Sequence, residues 1–218
     1  MKAVKRVIAL LLAAVTLLTA LASCDRDYDE AEVKAAAASL IKKSDILETI
    51  IFGKGFDYHL EGIGNYKEVN QSDVKKYADM LGESFTTLDG LKSVLSKVYT
   101  AGYKNDIISG VLSGDINGYT RYYQDGEKLM IYTNFKIRKT DEMEYHYDTL
   151  KVEDVNGEKI TVSIDVTVTN SEGKSQKRKI EVDLLEETGG WRLDTPTYAV
   201  YSENYQDYKD LENELNRK

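Results

Sequence analysis

A change in hydrophobic period near residue 118 is the feature that most limits the folds open to this chain. Before it, apolar residues recur every three to four positions, as they do on one face of a helix. After it, apolar and polar residues alternate and turn dipeptides separate the runs, as in antiparallel strands. Helices followed by a strand meander predict an α+β domain with its helices on one face of the sheet.

The helical half is predicted to cover about 30–113. Its first helix, at 30–51, has an apolar stripe with lysines and acids opposite. Thr87 is the predicted N-cap of a second helix that runs through Tyr99. A further helix is predicted to carry the apolar residues up to Leu112.

Three segments between these helices give weaker patterns. Residues 54–65 are interpreted as an irregular connection, and 66–69 as a short edge strand. Residues 74–80 fit a helix and an extended segment equally well.

The second half, about 118–195, is interpreted as a curved antiparallel sheet of about six strands. The strands are predicted at 119–124, 128–137, 145–154, 159–169, 176–186 and 191–195. In 159–169 five apolar residues point one way and polar residues the other, which indicates a sheet covered on a single side. A C-terminal helix at about 202–217 completes the predicted single domain, 30–218.

The order of elements and the closing strand Gly-Trp-Arg-Leu-Asp-Thr, at 190–195, resemble the nuclear transport factor 2-like (cystatin-like) superfamily. In that superfamily long helices fill the concave side of an antiparallel sheet, so the resemblance implies a cone-shaped interior. The chain departs from the pattern by lacking a helix before the third strand and by adding one at its C-terminus.

The N-terminus has the pattern of a secretory signal. Lys2, Lys5 and Arg6 precede an apolar run at 7–22. The run has 16 residues, which is short for a membrane span of about 20 but suits a signal peptide. A signal peptide is therefore predicted at 1–23.

The apolar run ends in Leu21-Ala22-Ser23-Cys24. This tetrapeptide resembles the lipobox of bacterial lipoproteins, and Cys24 is the only cysteine of the chain. The resemblance implies that a diacylglyceryl group joins the Cys24 thiol and that 24–29 forms a short tether to a membrane. Two acyl chains hold a protein stably where one does not. The alternative is an ordinary secretory signal followed by an unrelated cysteine.

Charge limits the partners of the mature chain. Without its signal segment the chain keeps 26 of its 29 Lys and Arg residues against 37 Asp and Glu, a formal charge of −11. Nucleic acid requires clustered basic residues, so it is not an expected partner. Anionic lipid headgroups would repel such a domain, so membrane attachment would have to come from the lipid.

The sequence lacks the residues of the common metal and cofactor sites. Two histidines and one cysteine cannot form a structural zinc site. The chain has no phosphate-binding loop and no Gly-x-Ser-x-Gly nucleophile motif. We therefore expect no metal and no cofactor.

His146 and Asp148 are the only candidate pair for acid–base chemistry. Strand alternation predicts that both point to the core side, near the rim where a cone would open. Superfamily enzymes of the ketosteroid isomerase kind hold an acid or base in that position, which makes a hydrolase or isomerase the catalytic alternative. The other interpretation is that both are polar residues at a strand end.

The tyrosines provide the second candidate site. The chain has sixteen tyrosines but only four phenylalanines. Tyr119, Tyr122, Tyr123 and Tyr132 fall on neighbouring predicted strands. Rings with a hydroxyl suit stacking on sugars or peptides at a wet surface. Tyrosine also serves as an ordinary core and sheet residue, which is the alternative interpretation.

These features favour a lipid-anchored protein on the extracytoplasmic face of the cell membrane that acts as a non-catalytic binding module. Its expected partner is an envelope protein or a cell-wall or glycan component. An enzyme using His146 and Asp148 is one alternative. An inhibitor of a cell-wall hydrolase is another, since residues 91–100 are similar to a secreted inhibitor of D,L-endopeptidases. A structural lipoprotein docked in an envelope assembly is the third.

Overall fold

A computed structural model describes residues 28–113 and 119–195. The predicted signal peptide at 1–23, the lipidation site Cys24 and the C-terminal helix at 202–217 lie outside these residues. The described part contains four α-helices and two four-stranded antiparallel sheets. The α+β class is therefore confirmed.

The helices come first along the chain, apart from one early hairpin. They are α1 (Glu30–Ile51), α2 (Gln71–Leu81), α3 (Leu88–Val98) and α4 (Ala101–Ile107), which continues into a single π-helical turn at Ile108–Leu112. The first sheet contains β1 (Tyr58–Ile63), β2 (Tyr66–Val69), β3 (Tyr122–Asp125) and β4 (Lys128–Tyr132). The second contains β5 (Glu142–Asn156), β6 (Lys159–Thr169), β7 (Ser175–Glu187) and β8 (Gly190–Leu193).

Side-chain caps set where the helices begin. Asp29 accepts a hydrogen bond from the N–H of Ala31 at 2.8 Å, so α1 begins where its apolar stripe begins. Thr87 accepts one from the N–H of Gly90 at 3.2 Å, which confirms it as the N-cap of α3. The ambiguous segment 74–80 is part of α2.

The prediction of one sheet of about six strands is wrong, because β4 has no edge left for β5. The first sheet runs β1-β2-β4-β3, so β2 and β3 occupy both edges of β4. The connection that follows β4 then turns away to the end of α1, where the N–H groups of Arg138 and Lys139 donate to Phe52 O at 2.8 and 3.1 Å. A second sheet, in the order β5-β6-β7-β8, starts beyond it.

The hairpin of β1 and β2 replaces the predicted irregular connection at 54–65. Ile63 pairs with Tyr66, and Gly64 and Asn65 form the two-residue loop between them. Gly64 has φ +58°, a conformation that glycine adopts without strain. The prediction of β2 as an edge strand is also wrong, since β2 lies between β1 and β4.

The second sheet packs one face against the helices. The inward residues of β6 are at most 3% exposed: Ile160, Val162, Ile164, Val166 and Val168. This confirms the single covered face predicted for 159–169. Helix α1 contacts β5, and the end of α3 contacts β8 through a hydrogen bond from Thr100 N–H to Leu193 O at 3.0 Å. One hydrophobic core therefore includes residues of both sheets.

Tyr122 joins the first sheet to the end of α1. Its ring is fully buried, its hydroxyl donates to Ile50 O at 2.8 Å, and it accepts from the N–H of Phe56 at 3.2 Å. Burial raises the pKa of Tyr122 from 10.0 to about 12. The folded chain therefore favours the neutral phenol, which can donate to the helix carbonyl.

We predict that Tyr122→Phe lowers the free energy of unfolding by about 1–3 kcal/mol, because two buried backbone groups lose their partner. In the native protein, stability should also fall as pH rises from 10 to about 12, since the unfolded tyrosine ionises there first. The variant should lack this part of the fall. Urea unfolding at neutral pH and at about pH 11 measures both effects.

Tyr123→Phe is the matched control, because Tyr123 is the next residue of β3 and lies on the opposite face. Equal stability of the two variants at neutral pH would contradict the role given to the Tyr122 hydroxyl.

Candidate functional site

The outward face of the first sheet carries four tyrosines, here called the tyrosine face: Tyr66, Tyr119, Tyr123 and Tyr132. Strand register explains the grouping. Tyr66 pairs with Tyr132, and Tyr123 alternates with the inward-facing Tyr122. Tyr119 lies three residues before β3 and is 46% exposed. The sheet therefore collects rings from three chain segments on one surface.

The four rings form a continuous series. Tyr119 and Tyr132 stack with centroids 4.8 Å apart and planes 7° apart. The ring of Tyr66 is tilted against that of Tyr132 at 5.1 Å and meets the ring of Tyr123 edge-on at 4.9 Å. These separations lie in the favourable range for aromatic pairs. Each ring is thus held by its neighbour.

Tyr66 holds Tyr119, the exposed end of the series, through the residue that follows it. Its hydroxyl donates to Thr120 O at 3.1 Å, and it accepts from the N–H of Thr120 at 3.1 Å. This holds the segment that bears Tyr119 against β2. Tyr66 was not among the predicted site residues, because its strand was not placed beside β4. The Gly64-Asn65 turn is the sequence signal that identifies this hairpin.

Tyr122 does not belong to the tyrosine face, although it was predicted as a surface candidate. It pairs with the buried Ile131 and is 0% exposed. The physical reason is the two-residue period of a strand, which sends adjacent tyrosines to opposite faces.

Arg121 supports the tyrosine face from the core side. It is 3% exposed, and its guanidinium donates to Gly53 O at 2.9 Å and to Tyr132 O at 3.3 Å. Its charged carbon lies 4.5 Å from the ring centre of Phe135. Burial lowers the pKa of Arg121. The side chain links the end of α1 to the strand that carries the central ring.

The predicted core-side position of His146 and Asp148 is wrong. Tyr145, not His146, pairs with the inward-facing Val166. A β-bulge between His146 and Lys151 reverses the alternation that had been extrapolated across this strand. His146 therefore points outward, and Asp148 is exposed on the bulge.

Hydrogen bonds of Thr149 hold the bulge. Its hydroxyl donates to His146 O at 2.7 Å and accepts from the N–H of Asp165 at 2.8 Å, in place of a ladder bond. The Nε2 atom of His146 shares a hydrogen bond of 2.9 Å with Thr167 Oγ1. The ring is thus bound to a threonine of β6.

His146 and Asp148 do line a common cavity of about 350 Å³, here called the outer pocket. Its lining residues are His146, Asp148, Thr149, Asp165, Val166, Lys177, Arg178 and Lys179. The cavity is open to solvent on the outward face of the second sheet. The inward side, where a cone was expected, is filled by the hydrophobic core.

Within 28–113 and 119–195, no group of three or more His, Cys, Asp or Glu side chains is arranged to hold a metal ion. No helix of the same residues has both the length and the apolar character to cross a bilayer.

Comparison with models of known protein families finds no match, and comparison with curated proteins finds none either.

We predict that Arg121→Lys lowers the free energy of unfolding by about 1–3 kcal/mol, because one ammonium cannot reproduce the forked bonds to two carbonyls. The near-ultraviolet circular dichroism of the tyrosines should change as well, since Tyr132 loses its support. Lys54→Arg, at an exposed position beside the same loop, is the control. An unchanged tyrosine spectrum in Arg121→Lys would contradict the link between Arg121 and the tyrosine face.

Proposed function

We propose that this protein is a lipid-anchored, non-catalytic binding module of the cell envelope and that its tyrosine face binds a cell-wall glycan. The observation that carries the proposal is the series of four packed rings on the outward face of the first sheet. A surface of this kind offers apolar area together with hydroxyl groups. Sugar rings present the same combination of apolar faces and hydroxyls.

Polar groups beside the rings support a glycan as the ligand. Glu68 and Lys128 lie on the same face and form an ion pair of 2.6 Å. Met130 lies between this ion pair and Tyr123. It is only 3% exposed, so an apolar side chain is buried among the polar and aromatic groups of this surface. Ring stacking with charged hydrogen-bond partners at the margin fits a polyhydroxylated ligand.

The position of α1 along the chain supports a short membrane tether. The described chain begins at Tyr28, and Asp29 already caps α1. Cys24 precedes Tyr28 by four residues, which extend to about 14 Å at most. A lipid on Cys24 would therefore keep the N-terminal end of α1 close to the bilayer.

The alternatives have less support. Asp148 would have to bond the His146 ring in order to orient or activate it, whereas this ring bonds to Thr167. The stretch 91–100, which suggested an inhibitor, lies mostly in α3, and its apolar residues are buried in the core. That pattern is accounted for by packing.

We predict that Cys24→Ser releases the protein from the membrane fraction. The reason is that serine offers no thiol for the diacylglyceryl group, and the acidic domain has no other attraction to anionic lipid. Fractionation of cells and intact mass measurement of the purified protein test this. The anchor would be refuted by a variant that stays with the membranes as firmly as the native protein, together with an unmodified Cys24 thiol in the native protein.

We predict that Tyr119→Ala weakens binding to purified cell-wall glycan strands, freed of their peptides, by about tenfold, which corresponds to ~1.4 kcal/mol of lost stacking. Co-sedimentation of the detergent-purified protein with the strands gives the dissociation constant. Tyr58→Ala is the matched control, because Tyr58 is 47% exposed against 46% for Tyr119 but lies on β1, outside the tyrosine face.

Three results would count against the tyrosine face as a glycan site. They are no sedimentation of the native protein with the strands, equal loss in the two variants, and loss in Tyr58→Ala alone.

A further inference from the structure

The outer pocket is lined by charges of both signs, which come from different strands. Asp148 and Asp165 come from β5 and β6, whereas Lys177 and Lys179 come from β7. Asp165 and Lys179 are direct neighbours across the strand pair. Strand register therefore places an acidic side and a basic side next to each other along one cavity.

These opposite charges do not neutralise each other directly. In the part of the chain that the structure describes, neither aspartate forms an ion pair with either lysine. Elsewhere on the same sheet such pairs are close, as between Lys159 and Asp183 at 2.7 Å. The pocket thus surrounds a cavity of about 350 Å³ with charged groups of both signs that are not joined to one another in ion pairs.

The bulge is the structural cause of this arrangement. It moves Asp148 out of the strand ladder, and Thr149 closes the gap by bonding both His146 O and the N–H of Asp165. The bond from His146 to Thr167 joins β5 to β6, the two strands that supply the aspartates. A regular strand would leave a flat surface here, without an overhanging carboxylate.

We propose that the outer pocket binds a short peptide that carries a free ammonium and a free carboxylate group. The ammonium lies against Asp148 and Asp165, and the carboxylate against Lys177 and Lys179. Charge complementarity favours this ligand, because a purely anionic or purely cationic one would face like charges on one side. The cavity volume falls in the lower part of the range for small-ligand sites, about 300–1,000 Å³, and suits a peptide of two or three small residues.

The site is separate from the tyrosine face, since the two lie on different sheets. The peptide proposal therefore does not depend on glycan binding. Tyr119→Ala should leave peptide binding unchanged, so a failure of one proposal can be distinguished from a failure of the other.

Ligand-observed NMR titration of the detergent-purified full chain tests the pocket with three probes. They are alanyl-alanine, its N-acetyl form, which lacks the ammonium, and its C-terminal amide, which lacks the carboxylate. We expect saturable binding of alanyl-alanine and about fivefold weaker binding of each blocked form, the size expected for one partly exposed charge pair. Added salt should weaken alanyl-alanine most.

Two variants assign the sides of the pocket. Asp148→Asn should remove the preference for the free ammonium and keep the preference for the free carboxylate, whereas Lys179→Gln should do the reverse. Lys174→Gln, an exposed lysine paired with Glu172 at the start of the same hairpin arm, is the control and should retain both preferences.

The proposal is overturned if alanyl-alanine does not bind saturably. It is also overturned if the blocked peptides bind as tightly as the free one, or if the two pocket variants behave like Lys174→Gln. Thermal unfolding of each variant checks that the fold is intact, and all three positions are exposed.

Discussion

The rest of the structure depends on how the C-terminal end of α1 finds partners for its carbonyl groups. The carbonyl oxygens in the last turn of a helix have no N–H donor within the helix. Here the Tyr122 hydroxyl bonds Ile50 O, the Arg121 guanidinium bonds Gly53 O, and the N–H groups of Arg138 and Lys139 bond Phe52 O. Tyr122 belongs to the first sheet, Arg121 directly precedes β3, and the other two donors belong to the connection that leads to the second sheet. One helix end thus orients both sheets around a common core.

This arrangement also holds the rings of the tyrosine face in place. Arg121 contacts the helix end with one nitrogen and the backbone of Tyr132 with the other. The ring of Tyr132 then holds those of Tyr119 and Tyr66. The exposed rings are therefore connected to the end of α1 through the buried side chain of Arg121. Ordering them in advance lowers the entropy that a ligand would otherwise have to overcome.

Features that depend on neighbouring residues could be predicted from the sequence. The bounds of α1, the Thr87 cap and the inward face of β6 follow from caps and periods that span a few residues. The division into two sheets could not be predicted from the sequence, because it depends on which strand occupies the second edge of β4. That strand is β2, about 60 residues earlier in the chain. The Gly64-Asn65 turn marks the hairpin but does not say where the hairpin docks.

The candidate sites show the same limit at the level of single side chains. Alternation assigned His146 to the core, and the bulge after it moved the residue to the opposite face. A bulge depends on the backbone pairing with β6, and Thr149 stabilises it with bonds that no periodic pattern encodes. The consequence is functional as well as geometric. In the described residues the helices and the core pack on the inward faces of both sheets, and the tyrosine face and the outer pocket lie on the outward faces. The first offers packed rings and the second offers charges of both signs, which are the groups that the proposed glycan and peptide ligands would meet.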